Sequence, residues 1–252
     1  MSAAKRKPKP KSSSRFLRVL HSGFLMIWVS VTTVLFTTFI LLVRPLSRGL
    51  AFDASRVWTI LVLFMSGIRL DVSGREKLER GRSYIVMSNH ASAMDIPIVY
   101  AALPFRFGFM AKRELFLIPF FGWGVAATGH IPVDRKSPRR ARRSVERAVR
   151  VLRSRGNSLA VFPEGTRTRT GELGRFKLGV FSIAVDAGVP IVPVAIRESR
   201  EILPRGSYLI NPSRVTVRIG EPISTAGFTR NSKGALAEVV RDHIAVLLED
   251  RR

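Results

Sequence analysis

An uninterrupted apolar segment near the N-terminus limits what this chain can fold into more than any other feature. Twenty consecutive residues without a charge, from Phe24 to Val43, would form a helix about 30 Å long, which matches the hydrocarbon thickness of a bilayer. The segment therefore predicts a membrane helix. A cleaved signal peptide is the alternative, but its apolar region is usually only about 7 to 15 residues long and ends in an A-x-A-like site, which this segment lacks.

The flanking residues indicate how the chain meets the membrane. Residues 1–20 combine seven basic side chains with two prolines and a run of serines, and this composition predicts a disordered tail. A second apolar run, Val57 to Ile68, corresponds to only about 18 Å of helix. Extending it upstream would bring in Asp53 and Arg56, at about 2.5 to 3.5 kcal/mol each near the bilayer centre. We therefore predict that residues 21–70 form a membrane-associated helical pair, either a hairpin or two helices partly sunk in one leaflet.

Both arrangements place the rest of the chain on the same side as the basic tail. Lys and Arg are enriched at the cytoplasmic flanks of membrane helices, and the short connection after the first apolar segment holds far fewer basic residues than the seven that precede the segment. We therefore expect the remaining residues at the cytoplasmic face of a membrane, such as a bacterial inner membrane. A single span would leave them on the opposite side, against this charge rule.

Residues 71–252 show the alternation of an α/β domain. Short apolar runs separated by helical patterns predict five strands, at Tyr84–Met87, Phe107–Ala111, Ser158–Phe162, Ile191–Ile196 and Val215–Ile219. This order favours a mixed central sheet flanked by helices, in which ligands bind beyond the carboxyl ends of strands. The last run alternates apolar and polar residues and is expected near an edge of the sheet.

Charge and composition narrow the choice of partners and of chemistry. The 42 Lys and Arg residues exceed the 18 Asp and Glu residues, so the net charge is +24, which attracts anionic partners. One predicted helix, capped by Ser137, carries seven arginines; it either presents a solvated face or contacts anionic lipid or a polyphosphate group. No nucleic-acid-binding signature accompanies it, so nucleic acid is not expected as a partner. The chain has no cysteine, and His21, His130 and His243 share no metal-ligand spacing, so no metal site is expected.

A histidine and a carboxylate follow the first predicted strand. Neutral imidazole accepts protons well near neutral pH, and a carboxylate bonded to its second nitrogen would orient it. His90 and Asp95 can fill these roles if His90 lies in the turn after the strand and Asp95 begins the next helix. Along one continuous helix they would be about 140° apart. A His-Asp pair at this spacing also arises by chance, so it does not establish catalysis alone.

A second cluster follows the strand at Ser158–Phe162. It begins with FPEGTR at residues 162–167 and continues with glycines and basic residues to Gly179. Glycine lets a ligand approach the backbone closely, and arginine can hold phosphate through two hydrogen bonds. The chain lacks phosphate-loop, dinucleotide-binding and G-x-S-x-G patterns. Nucleotide hydrolysis, dinucleotide binding and serine-esterase chemistry therefore lack their usual residues.

Taken together, the two clusters resemble a known family. The N-H-x4-D pattern at 89–95 followed by FPEGTR at 162–167 is similar to the glycerophospholipid acyltransferases, most closely to the lysophosphatidic acid acyltransferase branch (1-acylglycerol-3-phosphate acyltransferases). Further blocks occur in the family's order, with AKREL at 111–115, GHIPVDR at 129–135 and VPIVPVAI at 189–196. The chain departs from the pattern at Met94, where Leu or Trp is frequent, and at Leu178, where a second lysine often occurs.

The resemblance implies a reaction and a role for each cluster. A free hydroxyl of 1-acyl-glycerol-3-phosphate would attack a fatty acyl thioester, carried by coenzyme A or acyl carrier protein, and give phosphatidic acid without an acyl-enzyme. His90 would accept the hydroxyl proton and Asp95 would orient it. No bound cofactor is implied. The implied substrate-binding residues are Asn89, Lys112, Arg135, Glu164, Gly165, Thr166 and Arg167, with Arg167 on the phosphate.

Several alternatives stay open at the level of sequence. Glu164 is equally compatible with a structural role toward neighbouring amides. The acceptor is also open to glycerol-3-phosphate, another lysophospholipid or a lyso-ornithine lipid, and a basic membrane-tethered binding protein without catalysis is the alternative to an enzyme. Aromatic residues either line a tunnel for the acyl chain or belong to the core, namely Phe105, Phe107, Phe109, Phe116, Phe120, Phe121 and Trp123.

Overall fold

Two long helices precede a seven-stranded sheet in the computed structural model, which describes residues 12–134, 136–154, 156–204 and 206–250. The helices are α1 (Ser12–Val43), α2 (Arg48–Met65), α3 (Asp95–Ala102), α4 (Phe121–Ala127), α5 (Pro138–Arg153), α6 (Gly179–Ala187), α7 (Ser199–Ile202) and α8 (Lys233–Glu249). The strands are β1 (Arg69–Ser73), β2 (Ile85–Ser88), β3 (Phe107–Lys112), β4 (Ile131–Val133), β5 (Ser158–Val161), β6 (Ile191–Arg197) and β7 (Arg214–Ile219). The predicted mixed α/β fold is confirmed.

The sheet order places the carboxyl ends of three neighbouring strands side by side. The strands follow the order β1-β7-β6-β2-β5-β3-β4, and among the described pairs only β6 and β7 run antiparallel. In the register of the sheet, Leu159 of β5 lies between Ile85 of β2 and Gly108 of β3. Because these three strands are adjacent and parallel, the loops after β2 and β5 meet beside Lys112, the last residue of β3.

The five predicted strands are confirmed, and two more complete the edges of the sheet. β1 pairs with β7, and β4 pairs with β3. β1 contains charged residues and β4 contains Pro132, so neither run is typical of a strand on its own. Pairing with a neighbour stabilises both. β7 lies next to the edge strand β1 and is buried on alternate residues, as its sequence predicts.

Apolar side chains cover both faces of the central strands. Ile85 and Met87 of β2 pack with α5, α6 and α8, whereas Val86 packs with α2 and α3 on the other face. All three are buried, which explains why this run is continuously apolar instead of alternating. Burying each such side chain contributes about 1.5 to 3 kcal/mol to the stability of the fold. The loop that follows β2 is therefore attached to a well-packed strand.

The first helix begins earlier than the sequence predicts. α1 starts at Ser12, inside the 1–20 segment that was predicted as a tail, while residues 1–11 lie outside the described residues. Tertiary contacts explain the extension, because Arg18 donates to Oδ1 of Asn211 at 2.8 Å. Among the described helices, only α1 is long and apolar enough to cross a membrane by length and composition, over Arg15–Val43.

The second helix is longer than its apolar run and faces the α/β domain. Asp53 contacts the Arg106 guanidinium at 2.5 and 3.1 Å, and Arg56 donates to the carbonyl of Leu103 at 2.6 Å. Both charged side chains therefore bond to the α/β domain. Phe52 of α2 packs in the same cluster as the strands. The boundary predicted at residue 71 falls inside β1, because the helical pair and the sheet share one core.

The arginine-rich helix begins as the sequence predicts. Ser137 caps α5, with its side chain accepting from the amide of Arg140. Arg140 also pairs with Asp134 at 2.8 Å, and Arg142 pairs with Glu146 at 3.2 Å. The Arg142–Glu146 pair is exposed on both sides and contributes little to stability. Contact of this helix with an anionic surface stays a prediction.

Candidate active site

His90 and Asp95 form a hydrogen-bonded pair beyond the carboxyl end of β2. Nδ1 of His90 lies 2.8 Å from Oδ2 of Asp95. Asp95 begins α3, so the chain folds the carboxylate back onto the preceding loop. The same oxygen accepts the backbone amides of Ala91 and Ser92 at 2.7 and 2.8 Å. Asp95 is fully buried, and three donors hold its carboxylate in place.

This arrangement determines which nitrogen of His90 is basic. An ionised carboxylate only accepts hydrogen bonds, so Nδ1 carries the proton and donates to Asp95. Nε2 is then the nitrogen that accepts a proton. The His90 ring also stacks on Phe162, with centroids 4.0 Å apart and planes 12° apart. Held at one nitrogen and along one face, the ring aims Nε2 in a single direction.

Glu164 connects the two sequence clusters through the backbone. Its Oε1 accepts the amide of His90 at 2.8 Å, and its Oε2 accepts the amide of Gly174 at 3.0 Å. Burial raises the pKa of the Glu164 carboxyl, and the two amide hydrogen bonds oppose this shift. In addition, the carbonyl of His90 accepts the amide of Thr168 at 2.8 Å. Of the two roles open to Glu164, these contacts favour the structural one, which is to hold the backbone of His90.

Asn89 joins the loop to the neighbouring strand. Its side-chain amide donates to the carbonyl of Ile196 and accepts the amide of the same residue, both at 2.8 Å. The two bonds extend the pairing of β2 and β6 beyond the end of β2. Because Asn89 is buried and bonded to backbone, it is placed to position the loop, and its contact with substrate stays a prediction.

A cavity of about 630 Å³ lies beside His90. Next to the carboxyl ends of β3 and β5, its wall contains predicted substrate-binding residues, namely Lys112, Gly165, Thr166 and Arg167. Farther on it passes between helices, where it is lined by Phe36 and Ile40 of α1, Trp58 of α2, and Phe121 and Val125 of α4. The cavity wall therefore contains His90, two basic side chains, and a mixture of apolar and hydroxyl side chains from the helices.

The turn that presents Arg167 requires a glycine. Gly165 has a φ of +73°, in the left-handed region that favours glycine, and its amide donates to the carbonyl of Phe162 at 3.0 Å. Lys112 reaches the cavity from the end of β3, with its Nζ 3.3 Å from Glu114. Arg135, the remaining predicted substrate-binding residue, lies outside the described residues.

Sequence alone did not show which aromatic residues line a tunnel and which belong to the core. In the structure they lie in three environments. Phe109 and Phe121 line the cavity. Phe107 belongs to the core, where it contacts Phe52 edge to face. Trp123 is 49% exposed. Sequence alone did not separate these environments because they depend on where α1, α2 and α4 pack.

The sequence also did not identify a polar pair in the cavity wall. The Tyr100 hydroxyl lies 2.8 Å from Nε2 of His130, and both residues are buried and line the cavity. Burial raises the pKa of Tyr100. Burial also lowers the pKa of His130 to about 4, with the Thr128 carbonyl opposing the shift. In the sequence His130 lies within the GHIPVDR block at 129–135, but nothing there indicates its contact with Tyr100, which is 30 residues away.

The buried imidazole of His130 is expected to make the fold sensitive to acid. Its folded pKa of about 4 lies below the ordinary value of 6.5, so its contribution to stability is present above pH 6.5 and is lost as the pH falls toward 4. The loss relative to a non-titrating residue is about 3 kcal/mol. Unfolding of the wild type and of His130→Gln in mixed micelles, followed between pH 7 and 4, measures the difference.

The matched control is His243→Gln, because His243 lies exposed on α8. Its stability should follow that of the wild type at every pH. Parallel pH profiles for the wild type and His130→Gln would contradict the effect assigned to His130.

Comparison with known proteins places this geometry in a family. A family model described as Acyltransferase matches residues 69–197, which contain the His90 and Asp95 pair, Lys112 and the 162–167 turn. The chain belongs to the acyltransferase family. The resemblance found in the sequence is therefore confirmed at the level of the family.

Relatives of this acyltransferase-family chain come from several kingdoms. The chloroplastic 1-acyl-sn-glycerol-3-phosphate acyltransferase LPAT1 of Arabidopsis thaliana is 31% identical over 221 residues, which cover 86% of this chain and 61% of the relative. The 1-acyl-sn-glycerol-3-phosphate acyltransferase alpha of Mus musculus is 31% identical over 207 residues, covering 81% and 73%. The chain thus spans less than two thirds of the length of the plant relative.

A solved structure extends the comparison to nearly the whole chain. The crystal structure of the 1-acyl-sn-glycerophosphate (LPA) acyltransferase PlsC from Thermotoga maritima matches with a TM-score of 0.77 at 27% sequence identity. The match covers 94% of this chain and 99% of the other. The helical pair and the sheet are therefore both included in the similarity.

Proposed function

We propose that this chain transfers a fatty acyl group from an acyl thioester to the free hydroxyl of 1-acyl-glycerol-3-phosphate, producing phosphatidic acid. The observation that carries the proposal is that His90, held by Asp95, lines the same cavity as Lys112, Arg167 and apolar side chains of the helices. Such a cavity suits an acceptor with a phosphate and a fatty chain. The names of the plant and mouse relatives support the same acceptor.

His90 acts as the general base in this scheme. Its Nε2 takes the proton of the acceptor hydroxyl while the hydroxyl oxygen forms a bond to the thioester carbon and the carbonyl electrons move onto oxygen. When the carbonyl re-forms, the C–S bond breaks and the thiolate takes the proton from the imidazolium. Asp95 stabilises the imidazolium between these steps because its carboxylate lies 2.8 Å from Nδ1.

The remaining groups of the reaction come from the substrates and from cavity residues. The nucleophile is the acceptor's own hydroxyl, so no acyl-enzyme forms and no resident cofactor or metal enters the scheme. The donor is a thioester of coenzyme A or of acyl carrier protein. Lys112 and backbone amides are the candidates for stabilising the oxyanion.

A membrane position accounts for the helical pair. The acceptor and product are amphiphiles held in a leaflet, and α1 has the length and apolar character to enter that leaflet. The excess of positive charge before α1 favours the cytoplasmic face, for example of a bacterial inner membrane. The net charge of +24 then attracts the protein to anionic lipid head groups.

An acceptor panel tests the proposed function directly. The purified protein in mixed micelles receives one radiolabelled acyl-CoA and, in turn, lysophosphatidic acid, glycerol-3-phosphate, another lysophospholipid or a lyso-ornithine lipid. We expect lysophosphatidic acid to give the highest kcat/KM. A higher value for another member would reassign the acceptor, and salt-sensitive binding without product from any of them would indicate a binding protein.

Arg167→Ala is expected to raise the KM for lysophosphatidic acid by about tenfold to a hundredfold with little change in kcat. A charge-assisted hydrogen bond to phosphate contributes about 1.5 to 3 kcal/mol, and the phosphate carries the same charge in the ground and transition states. Initial rates at varied acceptor concentration measure both constants.

Arg169→Ala is the matched control, since Arg169 is exposed two positions along the same loop and does not line the cavity. It should leave both constants near the wild-type values. A fall in kcat for Arg167→Ala at unchanged KM would contradict a role in holding the acceptor phosphate.

A further inference from the structure

The segment leading into α4 exposes apolar side chains to solvent. Residues 117–123, LIPFFGW, form what we call the aromatic turn. Leu117, Ile118 and Trp123 are 69%, 45% and 49% exposed. Side chains of this size are usually buried, and several of them close together mark a contact surface.

The backbone holds the aromatic turn in one shape. Phe120 has φ +58° and ψ −62°, and the amide of Phe121 donates to the carbonyl of Pro119 at 2.7 Å. This is a three-residue γ-turn of the rare, strained kind. The amide of Gly122 donates to the carbonyl of Ile118 at 2.7 Å, closing the next turn. The exposed side chains are therefore presented by a defined backbone and not by an irregular loop.

The aromatic turn lies beside the apolar half of α1. Gly124 of α4 backs onto Thr37, whose Oγ1 would lie 2.8 Å from a Cβ added at that glycine. At the other end of α4, Nε of Arg44 donates to the carbonyl of Ala127 at 3.0 Å. Thr37 lies within the uncharged span of α1, so α4 occupies the same depth as that span. Exposed side chains continue along α1, including Leu35, Phe39 and Leu42, at 62%, 46% and 70%.

The same segment lines part of the cavity and is preceded in the chain by a basic residue. Leu115, Phe121 and Val125 line the cavity. Just before the aromatic turn lies Arg113, whose long side chain is half exposed and can place charge at the level of phosphate head groups. An apolar patch that continues the exposed side of α1 and is bordered by an arginine fits a lipid leaflet with anionic head groups.

We propose that the aromatic turn is a second membrane-contacting element, which inserts Leu117, Ile118 and Trp123 into the same leaflet as α1. The inference rests on the proposed membrane position of α1. The cavity wall shared by α1 and α4 then lies within the leaflet, so that the acyl chain of a lipid reaches the cavity without crossing water.

Single cysteines test this proposal, because the natural chain has none. Leu117→Cys in the full-length protein is labelled with an environment-sensitive fluorophore and reconstituted into vesicles of phosphatidylethanolamine and phosphatidylglycerol. Ile27→Cys on α1 and Val246→Cys on α8 are matched variants at positions 70% and 65% exposed.

Lipids brominated on the acyl chain quench only fluorophores that reach the hydrocarbon. We expect the labels at 117 and 27 to be quenched to a similar extent, while the label at 246, on a helix that packs on the opposite face of the sheet, keeps its fluorescence.

Each other outcome overturns a defined part of the proposal. Quenching at 27 without quenching at 117 removes the aromatic turn from the membrane and leaves the position of α1 intact. Loss of quenching at both positions overturns the membrane position of α1 itself. A blue-shifted label at 117 that brominated lipid does not quench indicates contact with a second copy of the chain instead of lipid, and it also overturns the inference.

Discussion

His90→Ala is expected to lower kcat by about 100-fold to 10,000-fold, the range that general-base catalysis contributes. The variant has no group to take the proton from the acceptor hydroxyl, so attack on the thioester requires an unassisted alcohol. The fold should persist, because the buried Asp95 carboxylate keeps its bonds to the amides of Ala91 and Ser92. The measurement is acyl transfer to lysophosphatidic acid in mixed micelles, together with the melting temperature of each protein.

His243→Ala is the matched control for this substitution. His243 lies on the exposed face of α8 and its Nδ1 bonds to Val239 within the same helix, so its removal should change neither kcat nor the fold. A well-folded His90→Ala protein with wild-type turnover would exclude His90 as the base. Such a result would leave family membership unchanged while overturning the proposed mechanism.

Asp95→Asn is expected to reduce kcat over a similar range, about 100-fold to 10,000-fold, with little change in KM. The amide oxygen can take the place of Oδ2 and still accept the donors of His90, Ala91 and Ser92. The imidazolium that forms during the reaction then lacks a neighbouring negative charge. The amide nitrogen falls where Oδ1 is buried without a hydrogen-bond partner among the described residues, which should reduce stability by about 1 to 3 kcal/mol. Steady-state kinetics and chemical unfolding in micelles measure the two effects.

Two comparisons separate catalysis from stability in this prediction. Asp242→Asn changes an exposed carboxylate on α8 and should match the wild type in both measurements. Asp95→Ala leaves three donors without their acceptor and should unfold more readily than Asp95→Asn. If Asp95→Asn retained full turnover, the carboxylate would have no part in stabilising His90.

Much of the sheet follows from local sequence, because strands buried on both faces need continuous apolar runs. β2 is an example, with Ile85, Val86 and Met87 packing on alternate sides of the sheet. The same reasoning fails for β1, whose charged residues are compatible with a strand only because β7 pairs beside it. Local sequence also predicts a disordered tail up to residue 20, whereas α1 begins at Ser12. The contact of Arg18 with Asn211, which helps to hold this part of the helix, joins residues far apart in the chain.

The pairing of His90 with Asp95 could be predicted from local sequence, because the two residues are close along the chain and Asp95 begins the helix that follows the loop. Local sequence did not reveal that Glu164 and Asn89 bond to backbone groups, because these partners lie 74 and 107 residues away. Nor did it reveal that Phe121 lines the cavity whereas Trp123 faces outward. The physical reason is the same in each case, since burial and hydrogen bonding depend on which elements pack together, and that information is distributed over the whole chain.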